Sequence, residues 1–154
     1  MSMDKKFLKS QLYPACMDFV LQRAATVEEI LASNRLALES EIKSSAGDKH
    51  ETGRAMLQLE MEKASQQLAS ITEMQEVLSR MNISDHSVTA KAGSLMFTAY
   101  GNYFLAIGLG AVNIGSDQFY VVSLSSPIGA VLKGKKEGDS VLFNGTRIQI
   151  EQIY

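Results

Sequence analysis

From residue 15 to residue 80 the apolar positions recur with the period of a paired helix, and the pattern is interrupted once. Val20, Ala24, Val27, Leu31, Leu38 and Ile42 are spaced mostly by four and three residues, with polar Asn34 in the same seam. Leu57, Met61, Ala64, Leu68, Ile71 and Leu78 repeat the spacing further on. Such spacing lays one apolar stripe along a helix and suits it to a second stripe of the same kind. The interruption is Ser44-Ser45-Ala46-Gly47, small residues that end helices, followed at once by Asp48-Lys49-His50-Glu51. So short a connection predicts two helices folded back antiparallel. About thirty residues a side, at ~1.5 Å each, make a rod of about 45 Å. The other faces carry charged and amide residues, among them Glu39, Glu41, Glu60, Lys63 and Gln67, and read as solvated. Upstream, Lys5, Lys6 and Lys9 suggest a short basic helical lead ending before Pro14, with the first long helix starting near Ala15.

The helical period is lost from Met81 to Ala92, which reads as a linker. Nine of the 11 glycines follow, from Gly93 onward, and β-branched and aromatic residues take over. Ser94 to Ala99, Tyr103 to Leu109, Phe119 to Ser123, Val141 to Phe143 and Thr146 to Ile153 are strand candidates. Asn144-Gly145 joins the last two as a tight hairpin turn. Ser126 as cap, Pro127 in the first position and Gly134 as a stop frame a short helix over Ile128 to Leu132. The expected architecture is α+β: an antiparallel coiled-coil hairpin over 1–82, a linker over 83–92, and a small antiparallel β domain with one short helix over 93–154.

Composition narrows the function classes. The 154 residues are 45% apolar and 21% charged, with a formal net charge of −2. A protein that coats nucleic acid would be visibly basic. Before Ile83 there are 10 basic and 12 acidic residues, and after it 5 and 5, so no charge asymmetry names a partner. The longest apolar run, Tyr103 to Val112, is far short of the ~20 residues that span a bilayer. No apolar leader follows the charged N-terminus, and Cys16 is the single cysteine. These features are expected of a cytoplasmic protein without a membrane contact, in which the Asn82-Ile83-Ser84 sequon is a coincidence.

Chemistry concentrates at the interruption. Asp48 and Glu51 are spaced i and i+3, which puts both carboxylates on one side of the first helical turn. One reading of them is a capping box, which alone would account for the helix start. They also offer two hard oxygen donors to Mg²⁺, an ion that usually takes one or two carboxylates from a protein and the rest from water or phosphate. A pair this sparse can complete a metal site half-built elsewhere. Lys49, His50 and Arg54 lie beside it and could touch RNA or phosphate, or be solvated bystanders. A self-contained enzyme is disfavoured: Cys16 has no histidine placed to activate it, and Gly108-Leu109-Gly110 lacks the rest of a nucleotide fingerprint.

Gly47-Asp48-Lys49-His50-Glu51 between two long helices resembles the tip of the bacterial Gre transcript-cleavage factors (GreA and GreB), whose pattern there is Gly-Asp-x-x-Glu. Ser126-Pro127-Ile128, Leu132, Gly134-Lys135, Glu137-Gly138-Asp139 and Val141 resemble the carboxy-terminal signature of the same family. The resemblance implies an FKBP-like β domain that docks on RNA polymerase at its secondary channel, through the region of Ser126, Pro127, Ile128, Gly134 and Lys135. It also implies a coiled coil that reaches down that channel, and tip acids Asp48 and Glu51 that help hold a catalytic Mg²⁺ shared with the polymerase beside the nascent RNA 3′ end; antiparallel pairing within one chain separately predicts a monomer. The chain would then be an accessory factor of transcription elongation rather than an enzyme. After its glutamate the family continues Asn-x-Glu-Tyr, where this chain has Thr52-Gly53-Arg54-Ala55, replacing an acid by a base. Two other readings stay open: a channel-binding modulator or inhibitor without cleavage, and a scaffolding protein with a dimeric coiled coil.

Overall fold

The computed structural model describes residues 4–43 and 48–154, and gives the backbone alone at 43 and 48–51. Two long helices come first, α1 (Lys5–Lys43) and α2 (Asp48–Arg80). Strands β1 (Leu95–Thr98), β2 (Gly101–Ala106), β3 (Gly110–Ile114) and β4 (Asp117–Ser123) follow, then helix α3 (Pro127–Leu132) and strands β5 (Ser140–Phe143) and β6 (Thr146–Ile153). The fold is α+β: a helical hairpin followed by a mostly antiparallel six-stranded sheet with one short helix. Packing divides the chain into two units, one of residues 20–75 and the other of residues 4–19 with 76–154.

The unit of residues 20–75 is the paired part of α1 and α2. The helices run antiparallel: Ile30 and Asn34 share a groove with Lys63 and Ala64, while Gly53 lies against Glu41. Val20, Val27, Leu31, Asn34, Ala64 and Ile71 are buried, as the stripes in the sequence predict. The expected break at Pro14 is absent, and α1 runs through it as one helix. Pro in a helix interior forfeits a hydrogen bond and costs about 3 kcal/mol. The counterweight is burial of Leu8, Leu12 and Cys16, which extend the apolar stripe upstream at steps of four. Each such side chain stabilises by about 1.5–3 kcal/mol. Asp4 starts the helix, its carboxylate accepting from the Lys6 N–H at 3.3 Å.

The second unit is built on the sheet, in the order β3-β4-β2-β1-β6-β5. Every pairing is antiparallel except β2 with β4, because β3 lies outside β4 and so leaves β4 beside β2. Strand β3 is not among the strands expected from sequence; its run Gly110-Ala111-Val112-Asn113-Ile114 is short and includes a glycine at φ +101°. One face of the sheet buries Met96, Leu105, Ile148, Ile150 and Ile153 with Leu132 of α3 and with Ala90. On the other, Leu95, Phe104, Phe119 and Val121 are buried. The first turns of α1 reach that second face, with the Lys5 ammonium over the Phe97 ring and the Lys9 ammonium over the Tyr154 ring. The Asn144-Gly145 turn is formed as expected, with both residues at positive φ (51° and 78°).

The segment over 83–92 is packed in this unit. The Ala90 N–H donates to the Lys135 carbonyl and the Gly134 N–H to the Ala90 carbonyl, both at 2.8 Å, and Thr89 bridges to Lys136.

Candidate functional site

Two sites follow from the sequence, one at the hairpin connection and one around α3. At the first, the expected turn over residues 44–47 lies outside the described residues. Asp48 is the first residue of α2 and Glu51 lies one turn on, so the backbone places both in the opening turn of a helix. There the unpaired N–H groups and the helix dipole favour negative charge. The side chains of Asp48, Lys49, His50 and Glu51 lie outside what is described. Thr52 and Arg54 are exposed in the next turn. Gly53 faces α1 across the hairpin, and a Cβ there would stand 3.1 Å from Oε1 of Glu41, a carboxylate at the end of a flexible side chain. Among the described residues no group of three or more His, Cys, Asp or Glu could hold a metal ion. A donor set of two carboxylates fits Mg²⁺ only as part of a shared site, with water, phosphate or another protein supplying the rest.

At the second site, local hydrogen bonds explain the sequence residue by residue. Ser126 caps α3: its Oγ accepts from the Gly129 N–H at 3.1 Å and donates to the Ser123 carbonyl at 2.6 Å. Pro127 occupies the first turn, where no N–H is needed, and is exposed. Ile128 is half-buried against the core. Gly134 adopts φ +81°, which a side chain would strain, and its N–H goes to Ala90. The Lys135 carbonyl accepts from the Ala90 N–H, and the residue is half-buried. The Glu137-Gly138-Asp139 turn is tied down as well, since the Glu137 carboxylate accepts from the Ile153 N–H and the Gly138 N–H reaches the Ile150 carbonyl. Of the five residues named for docking, Ser126 and Gly134 therefore shape the backbone. Pro127 is exposed, and no side-chain hydrogen bond of Lys135 is seen among the described residues.

Two features escape a reading of the sequence. Gly129 lies so close to β4 that a Cβ would overlap the Ser123 carbonyl oxygen; a glycine inside a helix is the only hint of it. Lys9, expected on a short basic helical lead, is 1% exposed. Its Nζ lies 4.9 Å from the Tyr154 ring centroid and 3.5 Å from the Asp85 carbonyl, while His86 stacks on Tyr154. Burial lowers the Lys9 amine to about 8, with Asp85 opposing the shift and Lys91 adding to it. Lys91 in turn pairs with Asp85 at 2.9 Å, and that hydrogen bond holds the exposed Asp85 carboxyl below its ordinary range. Cys16 is buried and its thiol is pushed up to about 12 by desolvation, the opposite of what a nucleophile needs. Among the described residues no helix is long and apolar enough to cross a membrane.

No protein-family model and no curated protein matches the chain. Among solved structures it is similar to "Crystal structure of GreA factor homolog 1 (Gfh1) protein of Thermus thermophilus", with 17% identity over 89% of this chain and 93% of that one, at a TM-score of 0.36. It is similar also to "Structure of the transcription factor Gfh1", with 18% identity over 89% and 92% of the two chains, at a TM-score of 0.34. Neither likeness is close enough to carry an argument about family or function.

Proposed function

We propose that this protein acts in transcription elongation by binding RNA polymerase as a monomer, with the β domain docking and the helical hairpin entering the secondary channel. The observation that carries the reading is the pair Asp48 and Glu51 in the first turn of α2, directly after the short connection of an antiparallel helical hairpin. The Ser126-to-Val141 signature in the other unit supports it independently. Delivered into the polymerase centre, the two carboxylates would share in holding Mg²⁺. That ion, when bound, supplies the charge that activates water and steadies the leaving oxygen of a phosphodiester. The chain's own part is to bring two acids there, with Lys49, His50 and Arg54 beside the RNA 3′ end. The nuclease is then the polymerase itself, and this protein its accessory.

A second reading has a specific observation behind it. Exposed Arg54 stands where the cleavage factors carry an acid, which suits a channel-binding modulator that slows elongation without cutting. Adding the protein to a backtracked elongation complex separates the two. The cleavage reading expects shortened RNA with new 3′ ends, reduced at least tenfold by Asp48→Ala or Glu51→Ala with polymerase binding retained. Intact transcripts with slower elongation would make it a modulator. No binding at all, together with concentration-dependent self-association in light scattering, would leave the scaffolding reading.

A further inference from the structure

The seam of the hairpin changes character along its length. From Val20 to Leu31 on α1, and from Ala64 to Ile71 on α2, it holds buried apolar residues. Beyond that none of residues 35–42 or 52–63 is buried. The seam positions Leu38, Leu57 and Met61 are half-buried, and Ile42 is 54% exposed. The large apolar side chains of this stretch face outward instead: Leu36 is 68% exposed, Met56 61% and Leu59 53%. At the transition lies Asn34, 8% exposed, whose Nδ2 has no hydrogen-bond partner among the described residues. It borders, with Ala64, an open groove of about 530 Å³ between the helices.

A buried amide donor without an acceptor loses its hydration and gains nothing in return. Parting the helices at this layer returns the Nδ2–H to water, so this layer favours separation, whereas every buried layer before it resists. Beyond it few apolar contacts hold the helices together. Local openings occur where burial is sparse and backbone hydrogen bonds are exposed. We propose that residues 34–42 and 52–64 open and close as a unit of their own, with the Asn34 and Ala64 layer as the boundary of the cooperative seam. A segment built in this way is completed by whatever encloses it, so binding orders it. The inference concerns the protein alone and holds whether or not the partner is a polymerase.

Hydrogen exchange followed by mass spectrometry on the full chain tests it. Amides in 34–42 and 52–64 should exchange at least tenfold faster than those in 24–31 and 65–75. Ile71→Val should speed the second group and leave the first unchanged. Asn34→Leu, which replaces the orphaned donor by an apolar group of nearly the same shape, should slow the first group tenfold or more, and Asn34→Ala should slow it less. Equal acceleration of both groups by Ile71→Val would mean a single cooperative unit and overturn the inference. So would an Asn34→Leu protein that folds with exchange in 34–42 and 52–64 unchanged.

Discussion

Lys9 carries its ammonium into a site with one ring face, one carbonyl and almost no water. Desolvation disfavours the charged form, which is why the amine falls from 10.5 to about 8. In that window the unfolded chain binds more protons than the folded one, so stability rises with pH from about 8 to 10.5 and is lowest, as far as Lys9 is concerned, below 8. Lys9→Met keeps the length and removes the charge. Its gain in stability over the parent, measured by denaturant unfolding, should be constant up to about pH 8 and shrink as pH rises beyond it. A difference that does not depend on pH would mean that the amine is not desolvated. None of this is legible beforehand, because Lys5, Lys6 and Lys9 look alike in a sequence. Lys5 and Lys9 both lie on the face of Leu12 and Cys16, but of the three only Lys9 is buried, where Tyr154 arrives opposite.

At the scale of elements, α3 is legible because its signals are local. Ser126, Pro127 and Gly134 each do at one end of a short helix what their chemistry favours, and no distant residue is needed to see it. Helix α1 departs from its reading at Pro14 for the converse reason. Pro14 is a strong local signal, overridden by Leu8, Leu12 and Cys16, whose burial depends on residues far along the chain. Strand β3 goes unseen because at an edge, half-exposed and poor in large side chains, it carries little pattern of its own. The close approach of α3 to β4 gives a ranking that a cap alone would not. Ser126→Ala should cost about 1 kcal/mol, the ordinary loss of a helix cap. Gly129→Ala should cost more, about 1–3 kcal/mol from overpacking, because its Cβ would meet the backbone carbonyl of Ser123, which cannot swing aside. Denaturant unfolding of the two variants checks the order, and a Gly129→Ala protein as stable as the parent would mean that β4 and α3 separate easily.

For the whole molecule, the proposed function assigns different duties to two candidate places, and if it is right they should fail differently. The acids at 48 and 51 are legible because a short interruption between two long periodic stretches is conspicuous, but under the proposed function their partners would belong to another protein, and such partners leave no trace in this chain. In the docking region the sequence names five residues, of which the hydrogen bonds assign two to shaping the backbone. Substituting Ser126 or Gly134 would therefore confuse folding with binding, whereas Lys135→Glu changes a side chain with no hydrogen bond among the described residues. If docking and chemistry are separate, Lys135→Glu should weaken polymerase binding about tenfold, yet at saturating protein restore the parent's rate of transcript cleavage. Asp48→Ala with Glu51→Ala should do the reverse, binding as tightly as the parent, cutting nothing, and displacing the parent when mixed with it. Titrating each variant against a backtracked complex gives both quantities from one experiment. A Lys135→Glu protein that binds normally would remove that residue from the docking surface, and a double tip variant that loses its affinity would move the acids from chemistry to attachment.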